Sequence, residues 1–74
     1  MQKANPKDII EYTVALVSDF AKKHALSTTQ AFNYLDRYQA IKFINQNYNI
    51  AHTLSFNDIL EDLSLYCKNR GGSL

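Results

Sequence analysis

Cysteine, proline and glycine are scarce in this sequence of 74 residues, which contains one, one and two of them respectively. Since Cys67 has no second cysteine to pair with, no internal disulfide can form, and secreted miniproteins of this size often depend on such cross-links. The composition remains that of a globular chain rather than a disordered one. We therefore expect a thin core that folds in a reducing cytoplasm.

Long apolar runs are also missing. No stretch approaches the roughly 18 continuous apolar residues that a membrane span requires, and the first residues lack the apolar segment of a secretion signal. We expect neither membrane insertion nor secretion. Gly71 and Gly72 are adjacent and near the end, so no glycine-rich phosphate loop exists and no nucleotide cofactor is expected.

Charge of either sign is modest: eight basic and seven acidic residues give a net charge of +1. Such a balance disfavours nucleic acid as a partner, because binding to DNA relies on several phosphate contacts from Lys or Arg. Catalytic and metal chemistry are disfavoured too. His24, His52 and Cys67 are isolated in the sequence, whereas a zinc site requires three or four ligands. We expect no catalytic residue, no cofactor and no metal, and hence no enzyme.

Helix-capping patterns divide the chain. Asn5-Pro6, Ser27 with Gln30, and Ser55 with Asp58 each predict a helix start, because their side chains can satisfy the free backbone amides of a first turn. Apolar residues recur at steps of three and four after each start. The sequence thus predicts one all-α domain over residues 1–74, a compact bundle of three to four helices over about 6–24, 28–38, 40–48 and 56–69.

The apolar residues of the first and second helices define predicted buried faces. The first helix has a broad stripe, and the second has Ala31, Phe32, Leu35 and Tyr38 on one face. Residues 49–53 have neither caps nor enough glycine for a hairpin, and we expect an extended connector there. The stripe of the first helix comprises Ile9, Ile10, Thr13, Val14, Leu16, Val17, Phe20 and Ala21.

Nine aromatic residues are many for so short a chain, and five of them are tyrosines. Because tyrosine offers rigid contact area with a polar tip, a surface built from Tyr34, Tyr38 and Tyr48 is a candidate partner-binding site. Tyrosines that close the rim of a thin core are an equally good interpretation.

A helix-turn-helix DNA reader is the alternative hypothesis for residues 28–48. Asn and Gln side chains can pair with adenine edges, and the basic residues would contact phosphates. The candidate nucleic-acid residues are Arg37, Lys42, Asn45, Gln46 and Asn49.

Several short motifs resemble a family of short, uncharacterised bacterial proteins: Ala31-Phe32-Asn33-Tyr34-Leu35, Ile41-Lys42-Phe43-Ile44, and His52-Thr53-Leu54-Ser55. This resemblance implies a domain of unknown function that is often encoded beside an ADP-ribosyltransferase-like protein, an arrangement suggestive of a toxin and its antitoxin. The family usually has glycine where this chain has Gln39. It has no established catalytic residue to transfer.

His52 lies in the most recognisable motif of that family and joins the candidate partner-binding residues. We interpret it first as a side chain that folds back onto helix-end backbone. The expected function is a small, non-catalytic protein-binding module, antitoxin-like or accessory to a neighbouring bacterial enzyme. Its expected partner is another protein, such as the product of an adjacent gene, or a second copy of the chain.

Overall fold

The computed structural model describes residues 5–73, of which three quarters are helical and none is in a strand. Five helices follow one another: α1 (Pro6–Lys23), α2 (Thr28–Arg37), α3 (Ala40–Gln46), α4 (Tyr48–Ala51) and α5 (Phe56–Lys68). Helix α1 packs against α2, α3 and α5, and α3 also contacts α2, α4 and α5. The predicted all-α bundle is confirmed.

The three predicted caps all form. The Asn5 side chain accepts from the Lys7 amide at 2.9 Å. Ser27 and Gln30 complete a reciprocal capping box, with bonds of 3.1 and 2.9 Å. The Ser55 hydroxyl accepts from the Asp58 amide at 3.2 Å. Each cap satisfies an amide that has no partner within its helix, which is why the starts of the three longest helices could be predicted from local sequence.

Two of the turns use left-handed backbone without glycine. Ala25 has φ 55°, and the Leu26 amide donates to the Ala21 carbonyl at 2.8 Å, which closes the end of α1. Gln39 has φ 65° between α2 and α3. Side chains with a Cβ adopt this conformation at a cost of about 1–2 kcal/mol, so both turns carry strain that glycine would relieve.

The segment expected to be an extended connector is helical, so that prediction is wrong. Helix α3 ends at Gln46 rather than residue 48, and after Asn47 the short α4 begins. Bonds from side chains to backbone hold this region: Thr53 donates to the Ile50 carbonyl at 2.6 Å, and His52 bonds the Tyr48 carbonyl at 2.7 Å. Local bonds of this kind need neither a standard cap nor glycine, so capping and glycine patterns do not predict them.

The core lies where the carboxyl-terminal half of α1 meets α2, α3 and α5. Cys67 is fully buried in this core, where cysteine packs as a small apolar side chain. The core consists of Leu16, Val17, Phe20, Ala21, Ala31, Leu35, Ala40, Ile44, Ala51, Ile59, Leu60, Leu63 and Cys67.

The buried stripe predicted for α1 is wrong in its first half. Ile10 is 63% exposed and Val14 is 60% exposed, and Phe32 on the predicted buried face of α2 is 43% exposed. Their residue type agrees with a core position, but no other described element covers them.

Candidate functional site: an open apolar groove

A groove runs between the first half of α1 and the facing parts of α2 and α3. It consists of two adjoining cavities of about 270 and 250 Å³ that share Thr13, Val14 and Phe32. The remaining lining residues come from all three helices, and we call the whole surface the α1–α2–α3 groove. They are Ile9, Ile10, Val17, Thr28, Thr29, Ile41 and Asn45.

None of the residues that line the groove is charged. Its polar members are threonines and one asparagine. The Thr13 hydroxyl donates to the Ile9 carbonyl at 2.7 Å, and its oxygen lies 3.2 Å from the Asn45 amide oxygen, so the Thr13 and Asn45 side chains meet across the groove. The site is thus mainly apolar, and its lining is uncharged.

Helix geometry explains why these side chains converge. Ile10, Val14 and Val17 are spaced by four and three residues, which places them along one side of α1. The capping box at Ser27 starts α2 beside this helix, so that Phe32 extends toward the same side. The groove therefore depends on the angle between α1 and α2.

The predicted tyrosine surface is divided between two clusters. Tyr34 stacks on the buried Phe20 ring at 6.0 Å and meets Tyr38 edge-on at 5.1 Å. Tyr48 instead contacts Tyr12, with ring centroids 5.3 Å apart. All four tyrosines are half-buried, so they close the rim of the core, and a role for Tyr34, Tyr38 or Tyr48 in partner binding stays a prediction.

His52 makes the predicted backbone bond, through Nδ1 to the Tyr48 carbonyl. Its ring also stacks on Tyr48, with centroids 4.7 Å apart. These contacts hold the turn after α4.

The Tyr12 hydroxyl is buried and has no hydrogen-bond partner among residues 5–73. The Tyr12 ring meets the rings of Tyr48 and Phe56 edge-on. Burial, and to a lesser degree the nearby Tyr48, raises the pKa of this phenol above its ordinary value of 10.0. An unpaired buried hydroxyl costs stability rather than supplying it.

The residues proposed for reading DNA are all exposed, but they do not share one helix. Arg37 ends α2, and Asn49 belongs to α4. Lys42, Asn45 and Gln46 lie on α3, which has only seven residues and ends before Asn47. Since Asn45 also contacts Thr13, the arrangement gives little support to a continuous recognition helix.

A separate cavity, of about 340 Å³, lies outside the groove where the end of α1 meets α5, and we call it the α1–α5 cavity. In it His24 Nε2 lies 3.0 Å from the Ser64 hydroxyl. Burial lowers the pKa of His24 below its ordinary value of 6.5, and the nearby Lys23 lowers it further. Glu61, Lys68 and Leu65 complete the lining.

The described residues give little support for a reactive thiol, a metal site or a membrane-spanning helix. Burial raises the pKa of the Cys67 thiol, more than Arg70 lowers it, so the reactive thiolate is disfavoured. Residues 5–73 contain no group of three or more His, Cys, Asp or Glu side chains placed to hold a metal ion. None of the described helices combines the length and apolarity that crossing a membrane would take. Asp58, Glu61 and Asp62 are exposed on α5, with Asp58 in its first turn.

The fold and the groove define a small helical domain with an open apolar site and no recognisable catalytic centre among its described residues. The chain belongs to the family described as protein of unknown function DUF3791, whose model matches residues 11–70. The match covers the core and all of the groove lining except Ile9 and Ile10. No curated protein matches the chain significantly. No solved structure does so either.

Proposed function

We propose that this chain is a small, non-catalytic protein-binding module that binds its partner through the α1–α2–α3 groove. The observation that carries the proposal is the exposure of Ile10, Val14 and Phe32 around one depression. Single apolar side chains at a protein surface are ordinary, but several that meet at a groove are typical of interaction sites.

The proposed partner is another protein, and the resemblance described above suggests the product of a neighbouring bacterial gene. An ADP-ribosyltransferase-like enzyme is the partner that this resemblance favours. In that setting the chain would act as an antitoxin-like or accessory protein. The groove supports only the binding part of this proposal, and the identity of the enzyme rests on the resemblance.

A pull-down from the native host tests the proposal. The tagged chain would be used in nuclease-treated and untreated lysates, together with Val14→Lys and a matched control, Leu65→Lys. Leu65 is 57% exposed, close to the 60% of Val14, but it lies on α5 and lines the α1–α5 cavity instead of the groove. Lysine is well tolerated at exposed helix positions, so both variants should fold.

We expect one stoichiometric protein that survives nuclease, is captured by wild type and Leu65→Lys, and is lost with Val14→Lys. Capture that is equally strong with Val14→Lys would show that the groove is not the binding site. If only nucleic acid is retained, and no protein remains after nuclease treatment, the helix-turn-helix alternative replaces our proposal.

A further inference from the structure

We infer that the α1–α2–α3 groove takes one amphipathic helix, which contacts it through an uncharged aliphatic face about two turns long. This inference rests on the proposed protein-binding function and specifies the chemistry of the partner segment. Its basis is the size of the groove, the absence of charge in its lining, and the small exposed apolar area.

The length of the groove fits two helical turns. On α1 it extends from Ile9 to Val17, which at 1.5 Å per residue is about 12 Å. A helix that lies in a groove of this length offers anchors at positions i, i+3 or i+4, and i+7. An extended strand would instead seek unpaired backbone groups at a sheet edge, and the described residues contain no strand.

The lining specifies the charge of the bound face. Neither cavity of the groove has a charged residue in its lining, so a charged side chain pressed into it would lose water without gaining a counter-ion. The nearest ion pair on α1, between Lys7 and Glu11, is already formed at 4.0 Å and is exposed. The complementary face is therefore neutral and aliphatic.

The exposed area argues for a single helix rather than a second copy of this chain. A stable interface buries about 800 Å² on each partner, which is about one sixth of the 5037 Å² surface of this molecule. The three exposed apolar side chains of the groove are only 43–63% exposed, and since even a fully exposed aromatic residue contributes about 150–250 Å², together they supply at most about 400 Å². Such a patch matches the contact of one short helix.

Designed peptides test this directly against the full chain. The first probe is a stapled 16-residue helix with Leu at i, i+4 and i+7 in an Ala/Gln background. A second peptide has the same composition with the leucines scrambled around the helix, and a third has Glu in place of the central Leu. Binding would be followed by amide chemical shifts in ¹H–¹⁵N spectra up to millimolar peptide.

We expect saturable shifts at Thr13, Val14, Thr29 and Phe32 with the first peptide. The scrambled peptide should bind at least about 10-fold more weakly, as should the Glu peptide, which corresponds to about 1.4 kcal/mol or more. Val14→Lys should abolish the shifts and Leu65→Lys should keep them.

Equal binding of the Glu peptide or of the scrambled peptide would overturn the inference, as would shifts that map elsewhere or do not saturate. Shifts that depend on the concentration of the chain itself would identify a second copy as the occupant and would also overturn it. If the pull-down yields a partner that Val14→Lys loses while the peptides fail, the protein-binding function stands and only the helical, uncharged occupant is wrong. If the peptides bind and no protein is captured, the helical, uncharged occupant stands and the proposed protein-binding function is wrong.

Discussion

The two halves of α1 contain similar apolar side chains in different surroundings. Leu16 and Phe20 in the second half are fully buried. Ile10 and Val14 in the first half are more than half exposed, although their spacing continues the same amphipathic stripe. Periodicity thus indicates which side of a helix is apolar, but whether that side is covered depends on where neighbouring helices end and turn.

The covered half is the part of α1 that maintains the fold. Its side chains pack against α2 and α5, where each lost methylene leaves a cavity. The open half is held from its other side, where Tyr12 meets Tyr48 and Phe56. This difference predicts that substitutions in the two halves have separable effects, on stability in one and on binding in the other.

The largest expected effect is that of Phe20→Ala. Phe20 is fully buried, so its truncation should lower the free energy of unfolding by about 3–5 kcal/mol, a large share of the stability of a chain this small. Val14→Ala, at an exposed position, should change it by no more than about 0.5 kcal/mol. Urea unfolding followed by circular dichroism measures both. Similar losses in the two variants would mean that the halves of α1 do not differ.

Ala25→Gly should stabilise the turn that ends the covered half. The left-handed backbone of Ala25 costs about 1–2 kcal/mol, and glycine removes this strain while losing about 0.4–1 kcal/mol through the greater entropy of its unfolded chain. The net gain should be about 0.5–1 kcal/mol in the same urea assay. Ala15→Gly, inside α1, serves as the control and should be destabilising by about 1 kcal/mol. A loss at Ala25 would argue against the left-handed turn.

Tyr12→Phe should stabilise the side of α1 that faces away from the groove. The substitution removes a buried hydroxyl that has no partner within the described part of the chain, and we expect a stability gain of up to about 1 kcal/mol. Thermal unfolding of this variant would be compared with that of Tyr48→Phe, which retains the same ring contacts. A marked loss of stability in Tyr12→Phe would mean that the hydroxyl is bonded after all.

The smallest effect is expected from pH at the end of the covered half. Because the folded pKa of His24 is below its unfolded value of 6.5, acid favours the unfolded chain, which binds the proton more readily. The contribution of His24 is therefore fully present above about pH 6.5 and declines as pH falls toward and through the folded pKa. Lys23, Glu61 and Lys68 face the same cavity, and Lys23 acts in the same direction as burial.

Urea unfolding between pH 7.5 and 5.5 would measure this slope in wild type and in His24→Gln. We expect the variant to show a smaller decline in stability toward acid than wild type. If the free energy of unfolding of His24→Gln depends on pH as strongly as that of wild type, His24 is not the source of this dependence.

The residues that capping chemistry singled out show how far the sequence could be interpreted. Ser27 and Gln30 satisfy each other's amides within four residues of chain, so their role needs no tertiary contact. The same holds for Asn5 and Ser55. The helical turn at Tyr48–Ala51 was missed because it has no side-chain cap at its start and is held by bonds from His52 and Thr53.

The groove could not be predicted from the same rules. Ile10, Val14 and Phe32 have the residue type and spacing of core positions, and only the unusual breadth of the α1 stripe hinted that a small bundle would leave part of it open. Tyr34 and Tyr48 could not be told apart by residue type either. Tyr34 lies against Phe20, whereas Tyr48 lies beside Tyr12.

The sequence by itself determined the helical class and the starts of α1, α2 and α5, because capping and amphipathic spacing act over a few residues. Only the tertiary structure decided which apolar residues remain open. The reason is that the coverage of a side chain depends on the angles between helices, which are fixed by many contacts distant in sequence. In this protein those angles close the core around Phe20 and leave Val14 beside a groove.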